Sequence, residues 1–458
     1  MTRARRIAAI AVCAGLAVGL GIAGQLSGKL DLHRIGRGVG GVTSAAPPGR
    51  ASTAQAGSSV PLVDEQNVRM AAVQDLLSAR AAAVKARSKS AWMATVDRSG
   101  SAFGGRQSLA FDNLIKLPLG QFSFGAVRLA PALSPARAQQ VGPQAWAATV
   151  TGTYSLAGFD RAPRSFEATY TLVERPGGWR IADDIDGATA VQLWDLPGLR
   201  VVRGQSVIVI GNAPEARMRD YSAIADSAVR RVSGVWGTHW NTHVVIVTPS
   251  TTEEFANLLL RSPGDGLDQV AAITEGTIDP GQLAQGDRVV INPEAFTALP
   301  PNGRQVVITH ELTHVAARSS TTEPVSTWLS EGMADYVGYS GLDLPRQRVA
   351  QDLLTLVRAG KGPQTLPTAA DFDPARTSIA PSYSGSWLAV SRLVDLYGQT
   401  KVVAFYRAIA SSPTAGRSGQ RDLDAIAARA FPRSFGVTEA LFVVGWRGYL
   451  QTLAHTPG

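Results

Sequence analysis

The sequence predicts an α+β protein built from unlike segments, and three observations carry that expectation. Over residues 146–156 and again over 166–172, apolar and polar residues alternate with a period of two, the mark of strands with one wet face. From about Leu196, short apolar runs at Val207–Ile210 and Val244–Val247 flank a stretch, Pro214 to Val235, that reads as helix. After Asn302 the patterning is mostly helical.

The chain has 458 residues, enough for two or three domains with cores of their own. Hydrophobic residues make up 45% and charged residues 17%, a balance that favours globular structure over disorder. The net charge of +8 comes from arginine, 38 residues against 6 lysines. These arginines are scattered, with no block of like charges, which argues against nucleic acid as a partner. Cys13 is the sole cysteine, so no intramolecular disulfide forms. In bacteria that is compatible with export.

Arg3, Arg5 and Arg6 precede an apolar run from Ile7 to Gly24, and 22 uncharged residues separate Arg6 from Lys29. As a helix this span is about 33 Å long, enough to cross a bilayer. No small-residue cleavage site closes the run; Ser44-Ala45-Ala46 lies too far downstream. Residues 1–28 are therefore expected to be an uncleaved signal anchor, a transmembrane helix that tethers an extracytoplasmic chain to the cell membrane. With cleavage the protein would be secreted. Lys29, Arg34 and Arg37 place positive charge on the far side as well, which works against this orientation. Residues 29–61 are expected to be a flexible linker: Gly38 to Val60 is rich in Gly, Ala, Ser, Thr and Pro, with Arg50 its single charge.

Asp64 to about Val96 is helical by composition. Strands follow at Trp146–Leu156 and Phe166–Leu172, then a Pro176-Gly177-Gly178 turn and a return through Trp179-Arg180-Ile181. Helices first, then an antiparallel sheet ending in a Gly-Gly-Trp hairpin, is similar to the nuclear-transport-factor-2-like cone fold over residues 62–187. The resemblance implies an α+β accessory domain, often with a pocket. No cluster of titratable residues stands out there, so a spacer or assembly role is expected ahead of small-ligand binding.

The chemistry concentrates at His310-Glu311-Leu312-Thr313-His314. Asn302 with Gln305 gives a capping-box start for a helix through this run. His310 and His314, four apart, project from successive turns of one face and can reach one tetrahedral ion at about 2.0–2.1 Å. Glu311 stands beside them, suited to act as general base on water made acidic by the metal. Two histidines leave such an ion short of ligands, because catalytic zinc takes three from the protein plus water. The third is expected from Trp328-Leu329-Ser330-Glu331-Gly332, on a second helix opened by Glu323-Pro324. There Trp328, Glu331 and Asp335 share a face. His239 and His243 are also four apart, but the strand at Val244 argues against a second metal site.

With these two motifs the chain resembles the gluzincin zinc metallopeptidases, the group of thermolysin and the aminopeptidase N-like enzymes, and within it the peptidase-MA-like domains of bacterial envelope proteins. The motifs cover about 30 residues and the pattern about 198 to 450. The resemblance implies a gluzincin-type α/β then mainly helical metallopeptidase domain over 198–458. It implies a zinc cofactor, His310, His314 and Glu331 as metal ligands, Glu311 as catalytic acid/base, and Asp335 orienting a ligand histidine from behind. Arg288–Pro293 resembles the edge strand on which such enzymes lay an extended peptide. Tyr383, at the start of a late helix, resembles the oxyanion-stabilising tyrosine of related domains; Tyr336 and Tyr339 are its rivals. The Gly-x-Met-Glu-Asn segment of aminopeptidase N-like enzymes is missing, so an aminopeptidase is disfavoured. The expectation is a membrane-anchored, extracytoplasmic endopeptidase acting on a peptide or protein substrate. The alternative is a catalytically degenerate peptidase-like protein that binds or assembles envelope components.

Overall fold

The computed structural model describes residues 62–97, 101–261, 267, 270–276, 281–373, 376–411 and 420–456. The expected anchor and linker lie outside the described residues. Among those described, no helix is long and apolar enough to cross a membrane.

The described chain is α+β. Three helices open it, α1 (Leu62–Lys85), α2 (Lys89–Ala94) and α3 (Ser101–Leu114). The stretch expected to be one helix from Asp64 to Val96 breaks after Lys85. Arg87 takes a φ of 52°, and Ser88 caps α2 by accepting a hydrogen bond from the Ala91 N–H. Helix α3 has no counterpart in the sequence reading. Its Gly104-Gly105 pair disfavours helix by about 1 kcal/mol per residue, and buried Phe103, Phe111 and Leu114 hold it by packing.

A four-stranded antiparallel sheet follows, β1 (Leu119–Leu129), β2 (Trp146–Leu156), β3 (Arg164–Arg175) and β4 (Gly178–Asp183), in that order, with α4 (Pro135–Val141) between the first two strands. The period of two in β2 reappears as burial. Ala148, Val150, Gly152, Tyr154 and Leu156 are buried, whereas Thr149, Thr151, Thr153 and Ser155 are half-buried.

The second sheet holds β5 (Arg200–Arg203), β6 (Val207–Gly211), β7 (Val244–Thr248), β8 (Ala272–Glu275) and β9 (Arg288–Ile291), ordered β5-β6-β7-β9-β8. Strands β6, β7 and β9 are parallel; β5 and β8 run antiparallel at the two edges. Helix α5 (Glu215–Trp236) links β6 to β7, and α6 (Thr252–Leu258) follows β7. Then come α7 (Pro293–Ala298), α8 (Pro301–Arg318), α9 (Thr327–Tyr339), α10 (Arg346–Val349), α11 (Gln351–Arg358), α12 (Ala380–Tyr397), α13 (Gln399–Ala410), α14 (Gln420–Phe435) and α15 (Glu439–His455).

Every residue of β6, β7 and β9 is buried, the signature of strands covered on both faces. Val207, Val209, Val244, Ile246, Val289 and Ile291 cluster with the apolar stripes of α5 and α8. Ile208, Ile210, Val245, Val247 and Val290, the alternate positions, cluster with Phe111, Tyr154 and Phe166 from the preceding unit and with Trp194 from the segment that follows it. One core therefore runs across the boundary expected between residues 187 and 198.

Three local expectations are corrected. Arg288–Ile291 is an inner strand, and β8 is the edge, because β8 turns back antiparallel onto β9. The motif helix starts at Pro301 rather than after Asn302: Pro301 occupies the first turn with its φ preset and no N–H to satisfy, and no side chain caps the end. The second motif helix starts at Thr327, not at Glu323-Pro324. The Thr322 and Glu323 N–H groups instead donate to Ala410 O at the end of α13 (3.2 and 2.9 Å), which holds that segment extended.

Candidate metal centre

Helices α8 and α9 form an antiparallel pair, and two glycines set how closely α9 approaches its neighbours. A Cβ on Gly332 would lie 2.4 Å from Ser386 O on α12, and one on Gly338 would lie 3.1 Å from Val306 O on α8. Small residues here let α9 bring Glu331 against α8 on one side and α12 on the other.

His310, Glu311, His314 and Glu331 are all buried. His310 Nε2 and His314 Nε2 are 3.0 Å apart, and Glu331 Oε2 lies 3.2 Å from the first and 3.5 Å from the second. A tetrahedral ion with bonds of about 2.0–2.1 Å would separate its ligand atoms by about 3.3 Å, so this triangle fits one. Among the described residues it is the one group of three His, Cys, Asp or Glu side chains whose ligand atoms converge, and His239 and His243 do not belong to it.

Asp335 fixes the role of His310. Its Oδ1 is 2.7 Å from His310 Nδ1, so Nδ1–H donates to the carboxylate and Nε2 presents its lone pair to the triangle. Glu331 Oε2 accepts no aligned hydrogen bond. Buried lone pairs this close repel unless positive charge lies among them, as a metal ion would supply. Burial would push the Glu331 pKa up, but the His314 and His310 contacts outweigh burial and bring it down to about 2. Burial raises Asp335, with His310 pulling the other way. Asp335→Ala is expected to weaken zinc binding about 10–100-fold, measured by competition with a chromophoric chelator; unchanged affinity would remove Asp335 from the site.

Glu311 does not join the triangle. Its Oε2 accepts a hydrogen bond from Thr274 Oγ1 on β8 (2.6 Å), and Thr274 also reaches Glu311 O at 3.1 Å. Burial raises the Glu311 pKa, partly offset by His310 and His314. Tyr383, buried in the first turn of α12, has its ring centroid 6.3 Å from that of His310 and 5.0 Å from that of Phe372. Its rivals are engaged elsewhere: Tyr336 donates to Gln399 Oε1 (3.0 Å), and the Tyr339 ring sits 4.8 Å from Trp387.

Sequence reasoning missed Thr274, Ser330 and Tyr406. Ser330 Oγ is 3.5 Å from His314 Nδ1, and burial pushes the pKa of the neighbouring Tyr406 hydroxyl up to about 12, with Ser330 pulling the other way. Ser330 was readable as the neighbour of Glu331. Nothing local marks Thr274 or Tyr406, which reach the site only through the tertiary fold.

No family model matches the chain, and no curated protein matches it. Among solved structures, native yeast LTA4 hydrolase is similar at 12% identity over 74% of this chain and 68% of that one, with a TM-score of 0.34. An M1 zinc metallopeptidase from Deinococcus radiodurans is similar at 13% identity over 66% of this chain and 61% of that one, with a TM-score of 0.30. Rv3472 from Mycobacterium tuberculosis, a protein of unknown function, is similar at 15% identity over 27% of this chain and 74% of that one, with a TM-score of 0.22. Likenesses of this size assign neither a family nor an activity.

Proposed function

We propose that the protein is a gluzincin-type zinc metallopeptidase cleaving internal peptide bonds, tethered outside the cytoplasm by residues 1–28. The observation that carries this is the convergence of two imidazole nitrogens and a carboxylate oxygen at tetrahedral spacing, with a second buried carboxylate, Glu311, held beside them. His310, His314 and Glu331 would hold the ion. When bound, zinc supplies Lewis acidity and a water whose pKa is lowered towards about 7.

Glu311, tethered by Thr274, takes the proton from the attacking water and returns it to the leaving amine. Asp335 keeps the His310 ring in the tautomer that binds metal. Tyr383 donates its hydroxyl proton towards the substrate oxygen on which negative charge develops. The anchor draws its support from the basic start and the uncharged run of 22 residues before Lys29.

Soluble protein lacking residues 1–61 should hold about one zinc per chain and lose peptide hydrolysis to chelator, regaining it with zinc. Metal-free protein whose Glu331→Ala variant matches it in stability and in zinc content would sink the proposal.

A further inference from the structure

Six charged side chains, most of them withdrawn from solvent, meet where the edge strand β8 abuts the unit formed by residues 62–187. Asp160, from the β2–β3 connection, grips Arg288 of β9 in a bidentate pair (Oδ1–Nη1 2.6 Å, Oδ2–Nη2 2.7 Å), with side-chain exposures of 0% and 3%. Arg164, the first residue of β3, donates to Glu275 Oε2 of β8 (2.6 Å) and to Gly286 O. From the other side Arg318, at the end of α8, donates to both oxygens of Asp287 (2.8 and 3.0 Å) and to Gly276 O (3.0 Å). The Arg161 N–H adds a backbone bond to Gln285 O (2.8 Å).

Burying this many charges costs several kcal/mol per ion unless each is paired, and an apolar contact would join the two units as well. What the pairs add is a fixed register. Strand β8 is four residues long and pairs, among the described residues, with β9 alone. Its consecutive residues serve opposite faces: Thr274 turns to α8 and holds the Glu311 carboxylate, and Glu275 turns to Arg164. A shift of β8 therefore moves both contacts together.

We infer that the 62–187 unit is a positioning element of the metal centre: Arg164 and Asp160, through Glu275 and Arg288, set the edge strand whose Thr274 aims Glu311. In its effect on rate the inference rests on the peptidase reading; in its effect on the strand it does not. Arg164 is a positioning residue, since it touches neither the ion site nor Glu311.

The test uses Arg164→Met, Thr274→Val and their combination in protein retaining residues 62–458. Amide exchange at Ile273–Gly276 should rise about tenfold or more in Arg164→Met, with zinc content unchanged. The Arg164→Met and Thr274→Val single variants should each lower kcat on a peptide about 10–100-fold. The double variant should be no slower than the worse single one, because both act through one contact. Arg164→Lys should restore much of the loss. If Arg164→Met fails to fold, Arg164→Met combined with Glu275→Gln, which leaves no charge unpaired, carries the exchange measurement. Unchanged exchange at β8, or kcat losses that multiply in the double variant, would overturn the inference. Should the unmodified protein cleave no peptide, the peptidase reading fails and the exchange result alone decides the clamp.

Discussion

Glu311→Gln will lower kcat for peptide hydrolysis by about 10²–10⁴-fold while leaving one zinc bound, because it removes a proton acceptor and nothing else. The side chain is fully buried and keeps its shape in the variant. Gln retains an oxygen to accept from Thr274 Oγ1, so β8 stays where it is. His310, His314 and Glu331 form their triangle without Glu311. The burial that raises the Glu311 pKa also makes its charged form costly, so the neutral amide should unfold at the same temperature or higher. Single-turnover cleavage measured beside metal content and thermal unfolding separates the cases. A Glu311→Gln protein as fast as the unmodified one would mean that the site binds metal without using this carboxylate. It would favour the degenerate, assembly-type reading over catalysis.

The parts of the site that were legible in sequence are those fixed by a single helix. His310 and His314 must share a face because they are four residues apart, and Glu331 and Asp335 must share another for the same reason. Joining the two faces needed only the assumption that α8 and α9 pair, and Gly338 is the local trace of that pairing. Thr274 was not legible as the partner of Glu311, since that contact spans 37 positions and depends on β8 folding back to the outside of β9. The same fold-back turned the expected edge strand into an inner one. Helix starts slipped where no side chain caps the end: at the start of α9 Ser326 Oγ instead donates to Leu423 O on α14, a partner no local pattern announces. The apolar runs Val207–Ile210 and Val244–Val247 did carry a message about tertiary structure, because runs with no polar alternation need cover on both faces. What they could not say is that the second cover is the 62–187 unit.

That second cover leads to the other large effect. A chain beginning near residue 188, stripped of the first unit, is expected not to fold cooperatively. Excision removes Phe111, Tyr154 and Phe166 from the cluster that covers one face of the second sheet, where Ile208, Ile210, Val245, Val247 and Val290 are each at most 3% exposed. Burying an aliphatic side chain of this size contributes about 1.5–3 kcal/mol, so uncovering even part of this face costs several kcal/mol, a large share of the stability of a typical domain. Excision also strips Asp160 from Arg288, leaving a buried guanidinium without its carboxylate, a loss of about 3–5 kcal/mol for a buried pair. Chains spanning 62–458 and 188–458 should therefore differ in kind. The longer should give a single sharp thermal transition, and the shorter should be insoluble or soluble with strong binding of an apolar dye and no transition. A cooperative transition in the shorter chain within about 5 °C of the longer one would correspond to roughly 1–2 kcal/mol and would show that the shared core contributes little. Because the first unit also supplies Arg164 to β8, its loss should leave Thr274, and with it Glu311, out of register even in whatever fraction stays soluble.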